Sequence, residues 1–252
     1  MEIRLIVFVT LCMIIAISFV AMLIFNKNTA SATGGIKTTV DEDTFTSQRK
    51  QMVEEQIAYR GIKDKKILDA MKSVPRHLFI PEENRFCSYY DQPVPIGFGQ
   101  TISQPYIVAF MTDLLKLDEG DVVLEVGTGS GYQAAILSKL VKQVYTIEII
   151  EGLGKASLKR LKTMGYDNIE VKIGDGYKGW TEHAPFDAII VTAAAEHIPQ
   201  PLIDQLKPGG RMVIPVGGAY TVQDLILVSK DVSSKIVKEA VIPVRFVPLL
   251  HK

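Results

Sequence analysis

The stretch "DVVLEVGTGSGYQAA" (121–135) decides the fold. Its first six residues are mostly apolar and β-branched, which is typical of a buried strand, and helical spacing resumes after the glycines. Gly127, Gly129 and Gly131 stand between the two elements, where the lack of a side chain lets a ligand approach the backbone. Ligands of open α/β sheets bind at the carboxyl ends of the strands, so this junction predicts a binding site.

The spacing of the glycines narrows the ligand class. A dinucleotide-binding fingerprint reads G-x-G-x-x-G, whereas here the third glycine comes one position earlier. Glu125, close before the first glycine, would repel a pyrophosphate but would suit a cationic ligand such as a sulfonium or an amino acid. The pattern therefore argues against NAD and FAD.

Short β-rich runs alternate with helical runs on both sides of this junction. The alternation predicts an α/β fold with a mostly parallel sheet covered by helices. The predicted strands are 121–126, 143–149, 168–173, 186–191 and 211–216, with helices at 132–140, 152–164 and 199–206.

Both ends of the soluble part depart from this alternation. Only "DVSS" separates the last two predicted strands, 223–230 and 235–244, so we expect a hairpin and an antiparallel C-terminal edge. Before the first strand, helical spacing at 45–60, 64–74 and 105–117 predicts an N-terminal helical lead-in, and a loop rich in proline and glycine precedes the last of these helices.

Two further acidic residues stand at neighbouring strand ends. Glu148 closes the second strand, where it can accept hydrogen bonds from both hydroxyls of a ribose. Asp175, in "GDG", can accept from an adenine amino group, and Gly176 leaves room for the ring. Each residue alone also fits an ordinary strand end or turn. The three strand ends together predict a site for S-adenosylmethionine.

Several longer motifs carry a family resemblance. The chain resembles the protein-L-isoaspartate O-methyltransferase family from about Arg49 to Leu249, and "VPRHLFIP" together with "GQTISQP" is the most specific part. The stretches concerned are "VPRHLFIP" (74–81), "PVPIGFGQTISQPYIVA" (93–109), "VLEVGTGSGYQAA" (123–135), "GDGYKGW" (174–180), "FDAIIVTAAAEHIP" (186–199), "LKPGGRMVIPVG" (206–217) and "VRFVPL" (244–249).

The resemblance implies both a fold and a reaction. The fold is the Rossmann-like fold of S-adenosylmethionine-dependent methyltransferases. The reaction is methylation of the free α-carboxylate of L-isoaspartyl residues in damaged proteins and peptides, whose ester then closes to a succinimide and begins repair. Two alternatives stay open: a methyltransferase acting on a small molecule, and a membrane-tethered protein that binds S-adenosylmethionine without turnover.

Ser103 matches the active-site serine of this family. A carboxylate is already ionised at neutral pH, so the reaction needs no general base, and a neutral hydroxyl can align the carboxylate without pinning its charge. The alternative is that Ser103 caps the helix beginning at Pro105. The predicted cofactor-binding residues are Gln100, Thr101, Ile102, Glu125, Gly127, Thr128, Gly129, Gly131, Glu148, Asp175 and Gly176.

Other parts of the motifs carry weaker expectations. We expect His77 to be structural and Trp180 to cover the adenine side of the cofactor. The small residues of 191–199 either let substrate backbone approach or pack a helix tightly. Residues 244–249 either form the floor of the peptide-binding site or an ordinary edge strand.

Composition limits the partners. The formal net charge is zero, so nothing draws the chain toward nucleic acid. The resemblance implies isoaspartyl proteins and peptides as partners, and we expect the chain to be a monomer. The two cysteines, Cys12 and Cys87, form no CxxC motif or His/Cys cluster, so no metal is expected and Cys87 should be a free thiol.

The N-terminal part differs from the rest of the chain. Residues 5–25 form an apolar run long enough to cross a bilayer. We therefore divide the chain into a hydrophobic anchor or signal (1–28), a linker (29–45) and a catalytic domain (46–252). An anchor with the catalytic domain on the cytoplasmic side, where S-adenosylmethionine is made, is favoured. The alternative is export to the periplasm by a cleaved signal, because "NTASA" offers a cleavage site.

Overall fold

A seven-stranded sheet forms the centre of the computed structural model, which describes residues 42–219 and 221–251. The apolar segment 5–25 and the predicted linker up to residue 41 lie outside the described residues. Within the described ranges, no helix has the length and apolar character needed to span a bilayer.

The strand order of the sheet is 5-4-3-6-7-8-9, and a separate hairpin precedes it in the chain. The strand pairs 5–4, 4–3, 3–6 and 6–7 are parallel. The eighth strand is antiparallel to both of its neighbours, so the predicted antiparallel C-terminal edge is confirmed. The strands are β1 (Val94–Gly97), β2 (Gln100–Ile102), β3 (Val122–Val126), β4 (Gln143–Glu148), β5 (Ile169–Ile173), β6 (Phe186–Val191), β7 (Leu206–Val216), β8 (Gln223–Lys230) and β9 (Ile236–Val244).

The helices follow the sequence predictions closely. Five of them begin and end within three residues of the predicted bounds. The first, predicted at 45–60, begins at Glu42 and continues with π-helical geometry over Met52–Ala58. The helices are α1 (Glu42–Gln51), α2 (Lys65–Ser73), α3 (Pro105–Leu115), α4 (Tyr132–Leu137), α5 (Glu151–Thr163) and α6 (Gln200–Gln205).

The two faces of the sheet are buried under different cores. Because side chains alternate along a strand, Val123 packs with the lead-in helices while Leu124 packs with the cluster around Phe186 and Met212. Glu125 follows the same alternation and therefore lies on the lead-in side of β3. This placement turns a carboxyl group toward the segment that carries Ser103.

Two features differ from the predicted loops and strands. The loop before α3 contains the β1–β2 hairpin, whose turn residues Gly97, Phe98 and Gly99 have φ values of 92°, 54° and 70°. Such a turn favours glycine, and two strands this short have no readable periodicity. In addition, β7 begins five residues before the predicted start, with residues 207–210 left out of the pairing with β6.

Candidate active site

The carboxyl ends of β3, β4 and β6 meet at one cleft. Because β3 lies between β4 and β6, the cleft sits where the strand order reverses, which is the usual ligand position in open α/β sheets. Three hollows share this cleft, and Thr101 and Thr192 line all of them. The strand-end cavity is lined by Gln100, Gly127, Gly129, Glu148 and Gly176. The serine pocket is lined by Ile102, Ser103, Glu125, Thr128 and Tyr132. The C-terminal groove is lined by Ser103, Ile107, Val222, Arg245 and Phe246.

The glycine loop after β3 is held against both neighbouring strands. The backbone N–H groups of Gly127 and Thr128 donate to the Ile147 carbonyl at 2.9 and 3.1 Å. On the other side, Thr192 Oγ1 donates to the Gly127 carbonyl at 2.6 Å. A Cβ on Gly127 would lie 2.5 Å from Thr192 Oγ1. Gly127 also has a φ of 98°, so this position accepts only glycine without strain.

Glu148 is fixed in the wall of the strand-end cavity by two backbone groups. Its Oε2 accepts from Gly129 N–H at 2.8 Å, and its Oε1 accepts from Ile150 N–H at 2.9 Å. A carboxylate has about four acceptor positions, so both oxygens keep capacity for a ligand. The side chain is thus pre-oriented where the sequence predicts a ribose partner.

At the end of β5 the cavity wall is formed by Gly176. A Cβ on Gly176 would lie 2.5 Å from Val126 Cγ1, so a side chain here would collide with the end of β3. Asp175 caps the short turn Gly176–Lys178 by accepting from Tyr177 N–H at 3.0 Å. Its predicted contact with an adenine amino group stays a prediction.

Glu125 is a fully buried carboxyl group that faces the serine pocket. Thr146 donates to its Oε2 at 2.5 Å, and Thr128 Oγ1 lies 2.7 Å from the same threonine hydroxyl. Burial raises the pKa of Glu125 to about 8. Its Oε1 has no hydrogen-bond partner within the described part of the chain. A buried carboxyl oxygen without a partner is costly, and because the group is mostly protonated at neutral pH, a cationic ligand in the pocket would favour release of its proton.

Ser103 lies where the serine pocket and the C-terminal groove adjoin. Helix α3 begins at Pro105, its N-cap residue is Gln104, and no side chain caps it, so the alternative role of Ser103 as a helix cap is not observed. The Ser103 carbonyl accepts a hydrogen bond at 2.7 Å from Arg76, a residue that the sequence analysis did not single out.

The segment after β9 closes the cleft from the other side. Ala194 N–H donates to the Val247 carbonyl at 2.8 Å, and Leu249 N–H donates to the Ala194 carbonyl at 2.7 Å. The backbone that approaches the small residues of 191–199 is therefore the chain's own segment 247–249, so these residues do not pack a helix here, and approach of substrate backbone stays a prediction. Of residues 244–249, Val244 ends the edge strand β9 and the others follow it. Residues 244–247 line the C-terminal groove, as a floor of a peptide site would.

The remaining predicted residues have structural places. Gly131 is the N-cap residue of α4, and a Cβ there would lie 3.2 Å from the Leu161 side chain. His77 is buried, stacks on Phe45 at 4.0 Å and lies 2.8 Å from the Tyr89 hydroxyl, so its structural role is confirmed. Trp180 packs edge-on against the Tyr145 ring at 5.3 Å in the core of the opposite face and does not line the strand-end cavity. Cys87 is a buried free thiol.

The chemistry of the cleft fits S-adenosylmethionine. Gly127 and Gly176 present bare backbone to the strand-end cavity, Glu148 offers pre-oriented acceptors, and the carboxyl group of Glu125, once ionised, suits a positive group. Among residues 42–219 and 221–251, no group of three or more His, Cys, Asp or Glu is placed to hold a metal ion.

The fold and this site define the chain as a Rossmann-like methyltransferase that uses S-adenosylmethionine. A model of the family described as protein-L-isoaspartate(D-aspartate) O-methyltransferase matches residues 47–252. The chain belongs to this family. The match agrees with the span from Arg49 to Leu249 over which the motifs resemble it, so the predicted family is confirmed.

Individual relatives agree with this assignment. The chain is 61% identical over 186 residues to protein-L-isoaspartate O-methyltransferase 2 of Syntrophobacter fumaroxidans, covering 74% of this chain and 75% of that protein. It is 52% identical over 223 residues to protein-L-isoaspartate O-methyltransferase 1 of Cupriavidus necator, covering 85% and 86%.

Solved structures confirm the fold class. A protein-L-isoaspartate O-methyltransferase superposes with a TM-score of 0.73 at 28% identity, covering 79% of this chain and 65% of that one. A structure described as the Plasmodium falciparum member in complex with S-adenosyl-L-homocysteine superposes with a TM-score of 0.69 at 30% identity, covering 80% and 98%. That ligand is the demethylated form of the predicted cofactor.

Proposed function

We propose that the chain methylates the free α-carboxylate of L-isoaspartyl residues, with S-adenosylmethionine in the strand-end cavity and the damaged peptide in the C-terminal groove. The observation that carries this proposal is the shared wall of the two hollows. Thr101 and Thr192 line both, and Ser103 lines the C-terminal groove where that groove adjoins the serine pocket. A group held in one hollow therefore stands next to a group held in the other.

In this proposal, residues at or just after the ends of three strands hold the cofactor. Glu148 accepts from the ribose hydroxyls, Asp175 accepts from the adenine amino group beside Gly176, and Glu125 faces the positive end of the ligand. When bound, S-adenosylmethionine supplies a methyl group on sulfonium sulfur, whose C–S bond breaks as a carboxylate oxygen forms the new C–O bond. The remaining predicted contacts, from Gln100, Thr101, Ile102, Thr128 and the glycine loop, enclose it.

Ser103 positions the nucleophile. The substrate carboxylate is ionised at neutral pH, so no residue has to remove a proton. The Ser103 hydroxyl donates a hydrogen bond to one carboxylate oxygen and leaves the other free to attack along the C–S axis. Correct alignment of reacting groups contributes up to about 7 to 11 kcal/mol in favourable reactions, which makes a neutral positioning donor sufficient.

The C-terminal groove suits a peptide rather than a compact metabolite. Its walls include Ile107, Val222, Arg245 and Phe246. Such a surface makes few side-chain-specific contacts, so we expect loose selectivity around the isoaspartyl residue. The methyl ester formed there closes spontaneously to a succinimide, whose hydrolysis returns part of the material to normal aspartate.

The arrangement of the whole chain is also part of the proposal. We divide it into an anchor or signal (1–28), a linker (29–45) and a catalytic domain (46–252), with the catalytic domain on the cytoplasmic side, where its cofactor is made. A fusion of the chain to reporters active on only one side of the membrane tests this division. Membrane association through 5–25 and a monomeric state stay predictions.

Methyl transfer to a matched pair of peptides tests the reaction. The two peptides differ only in L-isoaspartate against normal aspartate, and label is followed from S-adenosylmethionine into base-labile ester. We expect only the isoaspartyl peptide to accept label, and Ser103→Ala to lower kcat about a hundredfold, as loss of a positioned donor does. Ser233→Ala, in the exposed β8–β9 hairpin, is the control.

Two outcomes would contradict the proposal. If neither peptide accepts label although S-adenosylhomocysteine binds, the isoaspartyl assignment is wrong and small-molecule acceptors are tested next. If no acceptor of any class is methylated, the chain is a binding protein.

A further inference from the structure

Arg76 is a cation buried entirely within the protein. It begins the short turn Arg76–Phe79 between the lead-in helices and the β1–β2 hairpin, and its side chain has no exposed surface. No carboxylate forms an ion pair with it in the part of the chain that the structure describes. Burial lowers its pKa to about 10, so the guanidinium still carries its charge at neutral pH.

The partners of this guanidinium are backbone carbonyls. Its Nε donates to the Ser88 carbonyl at 2.8 Å, and its Nη2 donates to the Ser103 carbonyl at 2.7 Å. The guanidinium carbon also lies 4.9 Å from the centre of the Tyr132 ring, which lines the serine pocket. Hydrogen bonds from a charged donor are stronger than those between neutral groups, so the Ser103 carbonyl is firmly held.

The residues on both sides of Ser103 are anchored through the backbone: Ile102 pairs with Val94, and the Gln104 carbonyl accepts from Val108 N–H at 3.1 Å. The hydrogen bond from Arg76 adds an anchor at the Ser103 carbonyl itself. Ser103 and Gln104 lie between β2 and α3 and belong to neither, and α3 has no side-chain cap. The carbonyl carbon is bonded to Cα, so fixing the carbonyl fixes the position of the Cα from which the Ser103 side chain projects, while rotation about the Cα–Cβ bond stays free. A buried, planar donor with two anchored N–H groups provides this restriction better than a flexible one.

We propose that Arg76 is a positioning residue for methyl transfer, which acts by holding the Ser103 carbonyl so that the Ser103 hydroxyl meets the substrate carboxylate in line. The inference rests on the proposed role of Ser103. A displacement of about 1 Å in a reacting geometry can lower a rate about a hundredfold, so a contact that never touches substrate can still control kcat.

A purely structural arginine would behave differently, and the chain contains one for comparison. Arg49 in α1 also donates to a backbone carbonyl, that of Lys72, at 2.7 Å, and to the Tyr89 hydroxyl at 3.2 Å. It has no contact with Ser103. Arg49→Lys therefore loosens the lead-in in a similar way and serves as the matched control.

The test is a double-mutant cycle between Arg76→Lys and Ser103→Ala in the full chain. Lysine keeps the charge but replaces the two-armed planar donor with a single ammonium group. For each variant, kcat and KM for the isoaspartyl peptide, the Kd for S-adenosylhomocysteine and the unfolding temperature are measured. The wild-type protein with the two peptides reports separately on the proposed function itself.

We expect Arg76→Lys to lower kcat at least about tenfold while the Kd for S-adenosylhomocysteine stays the same. In the Ser103→Ala background the same substitution should change kcat less than about twofold, because the hydroxyl it positions is gone. Arg49→Lys should lower the unfolding temperature and leave kcat near the wild-type value.

Three results would overturn the inference. The first is that Arg76→Lys lowers kcat by the same factor in the wild-type and the Ser103→Ala backgrounds. The second is that Arg49→Lys lowers kcat as much as Arg76→Lys does when the two variants have equal unfolding temperatures. If Arg76→Lys does not fold, Arg76→Gln is measured at a lower temperature. The third is that neither Arg76→Lys nor Arg76→Gln folds, which would assign Arg76 a role in folding and not in positioning Ser103. A wild-type enzyme that ignores the isoaspartyl peptide would instead remove the proposed function.

Discussion

The ring of Phe98 fills the space in front of Gly152. A Cβ on Gly152 would lie 2.7 Å from Phe98 Cζ and 3.0 Å from Cε1. Phe98 is at the tip of the β1–β2 hairpin, and Gly152 lies in the first turn of α5, which follows the Glu148 strand end. The contact therefore joins the hairpin, which supplies Gln100 and Thr101, to the opposite wall of the strand-end cavity.

Gly152→Ala should weaken cofactor binding. The added methyl group pushes the Phe98 ring away, so the hairpin no longer rests on α5, and we expect the Kd for S-adenosylhomocysteine to rise several-fold, about 1 kcal/mol. Phe98→Ala should do the same, and the double variant should be no worse than either one. Titration calorimetry measures all three.

Gly120→Ala is the control for this prediction, because a Cβ there would meet no atom within 4 Å. Fully additive effects of Gly152→Ala and Phe98→Ala would show that the two residues act separately, contrary to the contact described here.

Glu125 should make the ligand-free protein less stable as the pH rises. Its pKa is about 8 in the folded protein and ordinarily 4.5, so between these values the folded state holds a proton that the unfolded state has released. Stability is then fully present below the lower value and falls by up to about 1.4 kcal/mol per pH unit up to the higher one. Glu125→Gln keeps an acceptor for Thr146 and should abolish this decrease.

Urea unfolding at several pH values between about 5 and 8, without ligand, measures the effect. Glu239→Gln, on the exposed face of β9, should follow the wild-type curve. If the free energy of unfolding changes with pH in the same way for the wild type and Glu125→Gln, the carboxyl group of Glu125 is ionised in the folded protein.

Glu148→Gln should damage both the loop and the ligand site. The amide has one oxygen for the two N–H groups of Gly129 and Ile150, so one backbone donor faces an NH₂ group instead of an acceptor. We expect the Kd for S-adenosylhomocysteine to rise about tenfold to a hundredfold and the free energy of unfolding to fall by about 1 to 3 kcal/mol. Calorimetry and urea unfolding report the two effects.

Glu170→Gln, on the exposed side of β5, is the matched substitution for this measurement and should change neither quantity. An unchanged Kd in Glu148→Gln would place the ribose away from this strand end.

The strands of the sheet and the helices around it were predictable because each is long enough for its apolar residues to show a strand or helix period. The run "VVLEV" is one such strand, and the glycines after it mark the site. The hairpin was not predictable, since a four-residue strand containing Pro95 and a three-residue strand give no period. Its turn requires backbone angles that only the assembled fold makes evident.

Contacts across long stretches of chain were equally hidden. Arg76 reaches Ser103 over 27 residues, and Thr192 reaches Gly127 over 65. Nothing local distinguishes either residue, although both lie within motifs that carry the family resemblance. Trp180 shows the converse: a motif position suggested a cofactor contact, and packing against Tyr145 decided otherwise.

The wall formed by Val247 to Leu249 has a consequence for the synthesis of the enzyme. These residues pair with Ala194, which follows β6, yet the ribosome adds them more than fifty residues later. A nascent chain whose parallel strands have already emerged still lacks one side of the cleft. Such a chain lacks the wall that Val247 to Leu249 form, so we expect the cleft to be completed only when the last residues have been added and not during translation.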